Sequence, residues 1–157
     1  MATEYATFGA GCFWGVEERF RQVPGVLETA VGYMGGSIDH PTYEQVCSGT
    51  TDHAEVVHVA FDPESVSYEA LLKLFWENHN PTTPNQQGPD FGTQYRSVIF
   101  THTEAQMEAA QASKTALEAS GVWKMPIVTE IVPAQEFNRA EDYHQKYFLK
   151  NGGSCHI

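Results

Sequence analysis

The chain has 157 residues, of which 41% are hydrophobic and 12% aromatic. This length and composition predict one folded domain over residues 1–157, with enough apolar surface for a core. Nine basic against twenty acidic residues give a formal net charge of −11, which argues against binding to nucleic acid or to an anionic membrane. The N-terminus has no basic stretch and no long apolar run follows it. We therefore expect neither a signal peptide nor a transmembrane helix, and we predict a cytoplasmic protein.

The first strand-to-helix junction is predicted within residues 9–15, GAGCFWG. A β-rich lead-in precedes this run, and Val16, Phe20 and Val23 recur after it at helical spacing. Cys12 then falls in the first turn of a helix, where free N–H groups and the helix dipole favour an anion and lower the pKa of a thiol. The alternative is that Cys12 is a small buried hydrophobe, as unpaired cysteines often are.

The next elements alternate between strands and helices. Pro24-Gly25 ends the first helix, and a strand over 26–36 follows. Residues 37–53 read as a polar loop with one helical turn near 43–47, and 53–61 as a β-branched strand. Ser67 is the expected cap of a helix whose apolar stripe lies within 71–76.

The second half begins with a long Asn/Pro/Gln/Gly stretch over 78–94, which we interpret as an ordered functional loop. A strand over 97–101 follows, and residues 103–106 form a capping box for an alanine-rich helix that ends near Gly121. The last predicted elements are a strand over 127–132, a helix opened by a capping box at 138–141, and a flexible tail at about 150–157. About five strands and four helices with long connections predict an α+β domain with a mixed sheet.

The three cysteines, Cys12, Cys47 and Cys155, are too few and too scattered for a disulfide scaffold. They form no Cys-x-x-Cys pair, and His53 and His58 lie on a strand without a partner motif, so no metal site is predicted. Spare thiols in an intracellular chain indicate reactivity or packing.

Four further polar residues are candidates for chemistry, each with a structural alternative. Glu55 lies in an apolar strand: pointing inward it is a proton donor with a pKa raised by desolvation, and pointing outward it is a solvated edge residue. Tyr43 and Tyr95, in the two polar loops, supply phenolic O–H groups or cover the core. Asp90 orients neighbouring groups or caps a turn.

The run Gly11-Cys12-Phe13-Trp14-Gly15 resembles the signature of the A-type peptide-methionine sulfoxide reductases. Other stretches match this family in order, so that the resemblance spans nearly the whole chain. These are residues 31–33 with Gly35-Gly36, 41–43, 46–49, 53–55, Asp90, 92–97 and 142–145. The resemblance implies a two-layer α/β plait of the ferredoxin-like kind and reduction of the S epimer of methionine sulfoxide, free or in proteins.

The resemblance also implies roles for individual residues. Cys12 is the nucleophile that attacks the sulfoxide sulfur, and Glu55 is the acid that protonates the sulfoxide oxygen. Tyr43 and Tyr95 donate hydrogen bonds to that oxygen. The apolar pocket for the substrate's S-methyl group is formed by Phe13 and Trp14, and Asp90 helps to hold the pocket. Methionine leaves, and Cys12 becomes a sulfenic acid.

In this scheme Cys155 is the resolving thiol, because it occupies the place of the family's resolving cysteine on a Gly-Gly-Ser tail. Its attack gives a Cys12–Cys155 disulfide, which thioredoxin or another dithiol reduces without a prosthetic cofactor. The alternatives are that Cys155 is a spare thiol, or that Cys47 resolves. Two departures from the family are Phe91, where many relatives have His, and a chain that ends two residues after Cys155.

Two other classes of function remain open on residues alone. A thiol hydrolase or acyltransferase would pair Cys12 with a histidine base, although no protease signature surrounds Cys12. Such an enzyme turns over without consuming reductant, whereas the reductase consumes one dithiol per sulfoxide. A non-catalytic binding protein would keep its function in a Cys12→Ser variant.

Overall fold

The computed structural model describes residues 3–11, 13–36, 42–47, 53–83, 85–87, 90–141 and 144–145, and the side chains of Cys47, Asp90 and Phe91 lie outside that description. The strands are β1 (Glu4–Ala10), β2 (Val26–Met34), β3 (Ala54–Phe61), β4 (Gln86–Gln87), β5 (Asp90–Phe91), β6 (Ser97–Thr101), β7 (Glu130–Pro133) and β8 (Asn138–Arg139). The helices are α1 (Phe13–Arg21), α2 (Tyr43–Cys47), α3 (Tyr68–Glu77) and α4 (Glu104–Ser120), with a 3-10 turn at Thr93–Tyr95.

Six of these strands form one mixed sheet in the order β7-β6-β1-β3-β2-β8, and β4 and β5 form a separate hairpin. Strand β1 is central and pairs antiparallel with both β3 and β6, while β6 and β7 pair in parallel. The predicted α+β domain with a mixed sheet is therefore confirmed.

The two faces of the sheet bury different sets of side chains. One face carries the larger core, in which residues of α1, α3 and α4, such as Phe20, Phe75 and Ala110, pack against strand residues such as Phe8 and Val57. The opposite face carries a smaller cluster of Met34, Ala54, Val56, Val98 and Phe100, against which Val132, Ala134 and Phe137 pack. Because side chains alternate along a strand, Glu55 lies on the face that the helices cover.

Both predicted helix caps with hydroxyl side chains are confirmed. The Ser67 hydroxyl accepts from the backbone N–H of Ala70, and the Thr103 hydroxyl accepts from that of Gln106. The Gln106 side chain accepts from the backbone N–H of His102, one residue before the position that a capping box expects. Helix α4 ends at Gly121, whose left-handed backbone (φ +72°) suits glycine.

Two predictions for the C-terminal part are wrong. Strand β7 begins at Glu130 and not at residue 127, and the backbone N–H of Val128 instead donates to Pro81 O at 2.8 Å. Residues 138–139 do not begin a helix. They form β8 and pair with the edge of β2 at Gly32 and Tyr33, and the Asn138 amide donates to Tyr33 O at 3.3 Å.

Three other predictions have mixed outcomes. The stretch 78–94 contains the β4–β5 hairpin and the 3-10 turn, so its described residues are ordered. The predicted tail at about 150–157 lies outside the described residues. In the part of the chain that the structure describes, no helix has the length and apolar character needed to span a membrane.

Candidate active site

The junction between β1 and α1 is the centre of the candidate site. Strand β1 ends at Ala10 and helix α1 begins at Phe13, so the predicted strand-to-helix transition is present in the neighbours of Cys12, which itself lies outside the described residues. Gly11 has a φ of +100°, and a Cβ there would lie 2.9 Å from Gln87 Cβ. The turn therefore needs glycine for both its backbone conformation and its close approach to the β4–β5 hairpin.

The side chain of Glu55 points inward, which is one of the two orientations that the sequence left open. Its residue is only 1% exposed, and its Oε1 accepts a hydrogen bond from the backbone N–H of Phe13 at 3.3 Å. That N–H belongs to the first turn of α1, where backbone donors lack partners within the helix. The pairing of β1 with β3, which sets Phe8 opposite Val57, brings this carboxyl group to the junction.

Four aromatic rings cluster at the start of α1. The His144 ring centroid lies 4.5 Å from that of Tyr43, 5.3 Å from that of Phe13 and 5.6 Å from that of Trp14. Phe13 and Tyr43 are themselves 6.3 Å apart. Phe13 is fully buried, whereas Trp14 and Tyr43 are half-buried, so the latter two form the outer part of the cluster. We call these four residues the aromatic cage.

Glu141 and His144, near the end of the described part of the chain, accept hydrogen bonds that fix the cage. Trp14 Nε1 donates to His144 Nδ1 at 2.9 Å. The Glu141 carboxylate accepts from the Tyr33 hydroxyl at 3.3 Å and from the backbone N–H of Tyr43 at 3.2 Å, so it ties α2 to β2. Burial lowers the pKa of His144, and the nearby Glu141 opposes this shift only in part.

The remaining predicted residues are located less fully. Tyr95 is half-buried at the end of the 3-10 turn, which packs against β3, the strand that carries Glu55. The backbone of Asp90 pairs with Gln87 in the hairpin that contacts Gly11. Cys155 and the side chain of Cys47 lie outside the described part of the structure.

Sequence reasoning gave no site role to three residues that shape the site: His144, Gln145, and Glu141, which it placed only in a capping box. Gln145 Oε1 accepts from Val31 N–H at 2.8 Å, and its Nε2 donates to Val31 O, also at 2.8 Å. The match of residues 142–145 to the family pattern was the signal that could have found His144 and Gln145, and it does not include Glu141. Among the described residues, no group of three His, Cys, Asp or Glu side chains could hold a metal ion.

A buried carboxyl group and an aromatic cage lie beside the start of α1, which directly follows Cys12 in the sequence, and together they define a candidate active site for a thiol-dependent oxidoreductase. The family model described as peptide methionine sulfoxide reductase matches residues 4–157. The chain is 65% identical over 150 residues to the peptide methionine sulfoxide reductase MsrA of Methanoculleus marisnigri, covering 96% of this chain and 92% of that one. The chain therefore belongs to the peptide methionine sulfoxide reductase family, and it is an enzyme that reduces methionine sulfoxide.

Solved structures agree with this assignment. The fold is similar to that of Mxr1 from Saccharomyces cerevisiae in reduced form, with a TM-score of 0.91 and 37% identity over 98% of this chain and 89% of that chain. Mxr1 in complex with Trx2 is also similar, with a TM-score of 0.67 and 25% identity over 99% of this chain and 87% of that chain.

Proposed function

We propose that this enzyme reduces the S epimer of methionine sulfoxide with Cys12 as nucleophile and Glu55 as proton donor. The observation that carries the proposal is the 3.3 Å hydrogen bond from Phe13 N–H to Glu55 Oε1, because Phe13 directly follows Cys12. The Cys12 thiolate attacks the sulfoxide sulfur, and the sulfoxide oxygen accepts the proton of Glu55. The S–O bond of the sulfoxide and the transient S–S bond then break as the protonated oxygen passes to the Cys12 sulfur. Methionine leaves as the thioether, reduced by two electrons, and Cys12 becomes a sulfenic acid.

The environment of Glu55 suits an acid. Removing a carboxylate from water favours its neutral, protonated form, and Glu55 is 1% exposed. Because Oε1 accepts from a backbone N–H, the proposed acid form of Glu55 places its proton on Oε2. Glu55 is hydrogen-bonded to Phe13, the residue next to the nucleophile, so its carboxyl group is already positioned to protonate the leaving oxygen.

The aromatic cage supplies the substrate's binding surface. Phe13 and Trp14 hold the S-methyl group, which selects the epimer because only one arrangement of methyl and oxygen directs the oxygen toward Glu55. Tyr43 and Tyr95 donate hydrogen bonds to the sulfoxide oxygen, and Asp90 holds the pocket. The contact between the rings of Phe13 and Tyr43 supports a shared pocket.

Regeneration of the thiol uses Cys155 and then thioredoxin. The Cys155 sulfur attacks the sulfenic sulfur, water leaves, and a Cys12–Cys155 disulfide forms. A thioredoxin dithiol reduces that disulfide by thiol exchange and becomes a disulfide itself. Support comes from Mxr1, which has been solved in complex with Trx2. The cycle needs no prosthetic group, and we propose that it operates in the cytoplasm as a repair of oxidised proteins.

We further infer a two-layer plait of the ferredoxin-like kind. The chain order β1-α1-β2-β3-α3-β6 is a βαββαβ unit, in which β3 lies between β1 and β2. The packing of α1 and α3 into one shared core supports two layers.

The experiment uses the fully reduced chain and a peptide with the S epimer of methionine sulfoxide, without added reductant. We expect one methionine per enzyme and a Cys12–Cys155 disulfide in a mass map. A Cys12–Cys47 disulfide would overturn the choice of resolving thiol, and an unchanged Cys12 without product would overturn the reductase mechanism.

Matched variants test the resolving step. Cys155→Ser should still release one methionine per enzyme, because the sulfenic acid forms without a second thiol, but it should lose turnover with thioredoxin. Cys47→Ser should keep both activities. Thioredoxin turnover that survives in Cys155→Ser and is lost in Cys47→Ser would reverse the two assignments.

A further inference from the structure

The hydrogen bond between Trp14 and His144 joins a pocket wall to a residue far away in the chain. The indole N–H is a donor only, so His144 Nδ1, at 2.9 Å, must be the acceptor. A neutral imidazole that accepts at Nδ1 carries its proton on Nε2, which fixes the tautomer of His144.

The position of His144 suits an anchor for the cage. The residue is 1% exposed and its ring contacts the rings of Tyr43, Phe13 and Trp14. Burial lowers the pKa of His144, which keeps the ring neutral and Nδ1 available as an acceptor at neutral pH. By contrast, Trp14 is half-buried, and packing alone constrains its indole less than that of a fully buried ring.

We propose that His144 is a positioning residue, which holds the Trp14 indole in the orientation that forms the wall of the S-methyl pocket. The inference rests on the proposed function, in which Trp14 contacts substrate. The hydrogen bond of His144 is made with Trp14, a wall of the proposed S-methyl pocket, whereas the proposed acid Glu55 accepts from the backbone N–H of Phe13. Its contribution therefore appears in substrate binding and in the choice of epimer, and not in the rate of sulfoxide reduction by bound substrate.

Two substitutions separate the hydrogen bond from the ring. His144→Phe keeps an aromatic ring of similar shape and removes the acceptor. His144→Asn removes most of the ring but keeps an acceptor, because Asn Oδ1 and His Nδ1 are both bonded to Cγ. We expect His144→Phe to raise KM for the S epimer about tenfold, the effect of leaving a half-buried donor without its partner, with kcat changed less than about twofold. His144→Asn should recover most of that KM.

The Trp14→Phe background provides a matched control, because it removes the donor. If His144 acts through the indole N–H, adding His144→Phe to Trp14→Phe should change KM by less than about twofold. A full tenfold increase in that background would overturn the proposal. The same would follow from a His144→Phe enzyme that loses kcat with KM unchanged, or from a His144→Asn enzyme as impaired in KM as His144→Phe.

NMR spectroscopy of the unsubstituted protein tests the geometry even if a variant does not fold. The nitrogen shifts of His144 should be those of the Nε2–H tautomer, and the Trp14 indole proton should resonate downfield, as assigned by its loss in Trp14→Phe. An Nδ1–H tautomer would overturn the proposal. Failure of the proposed function is a separate result, since Cys12→Ser would then keep its reductase activity whatever the His144 variants do.

Discussion

Replacing Glu55 with Gln tests the proton donor directly. The amide has nearly the volume of the carboxyl group, and its oxygen can accept the 3.3 Å hydrogen bond from Phe13 N–H. The fold and the start of α1 should therefore persist, while the ability to transfer a proton to the sulfoxide oxygen is lost. General acid catalysis contributes about 10²- to 10⁴-fold in rate, which corresponds to about 3–5 kcal/mol of activation free energy.

The assay is single-turnover formation of methionine from the S epimer, since this measures the chemical step without the recycling of the thiol by reductant. We expect the rate of Glu55→Gln to fall by about 10²- to 10⁴-fold, with substrate affinity little changed. Urea unfolding of the same variant should give a free energy within about 1 kcal/mol of that of the unsubstituted enzyme.

The chain offers a matched control in Glu17, a second carboxyl group that is 1% exposed. It lies on α1 and accepts a hydrogen bond from the Thr29 hydroxyl at 2.8 Å, and the proposed reaction does not use it. Glu17→Gln should change stability to a similar extent but leave the single-turnover rate within about twofold. A Glu55→Gln enzyme that keeps its rate, or a Glu17→Gln enzyme equally slow, would refute the reasoning.

Two further predictions concern stability. Gly11→Ala should lower the free energy of unfolding by well over the about 1–2 kcal/mol that left-handed strain costs, and should also lower kcat/KM, because its Cβ would lie 2.9 Å from Gln87 Cβ. Gly121→Ala has open space around its Cβ, so it should lose only the free energy of the strain. Urea unfolding and kinetics of both variants check this, and an equal loss of stability in the two would contradict it. Burial lowers the pKa of His79 from 6.5 to about 4, so the unfolded chain binds more protons than the folded one between these values. Neutral His79 therefore contributes about 3 kcal/mol to the free energy of unfolding, which is fully present above pH 6.5 and is lost as the pH falls toward 4. Urea unfolding of His79→Gln across this pH range checks the assignment, and a variant whose stability depends on pH as steeply as that of the unsubstituted protein would argue against it.

The elements that the sequence predicts correctly are those with local signals. The hydroxyl caps at Ser67 and Thr103 accept hydrogen bonds from backbone N–H groups only three residues away, so the local sequence is enough to predict them. Strand β6 has the predicted bounds, since a run of buried apolar residues between polar ones leaves little choice.

The wrong predictions concern residues whose partners are distant. The sequence at 138–141 has the letters of a capping box, but Asn138 and Arg139 pair with Tyr33 and Gly32, about a hundred residues earlier. No local pattern reveals that the edge of β2 needs a partner strand. A tertiary pairing of this kind overrides a weak local preference.

The site divides in the same way. Alternation in β3 left two orientations open for Glu55, and only the order of strands in the sheet assigns it to the face covered by helices. His144 contacts Trp14 across 130 residues of sequence. The local sequence around His144 does not predict that contact, so only the three-dimensional structure identifies His144 as the hydrogen-bond acceptor of Trp14.

The proposed acid, Glu55, and the aromatic cage are held in place by different kinds of interaction. Backbone pairing of β1 with β3 on one side and with β6 on the other, at Phe8 and Ala10, fixes the strand that leads into the Cys12 junction and the strand that carries Glu55. The cage is instead held by the side chains of Glu141 and His144, through single hydrogen bonds to the backbone of Tyr43 and to Trp14. Because a sheet ladder opens only cooperatively and single side-chain bonds break one at a time, loss of the Glu141 or His144 hydrogen bonds should weaken substrate binding before it slows the chemistry.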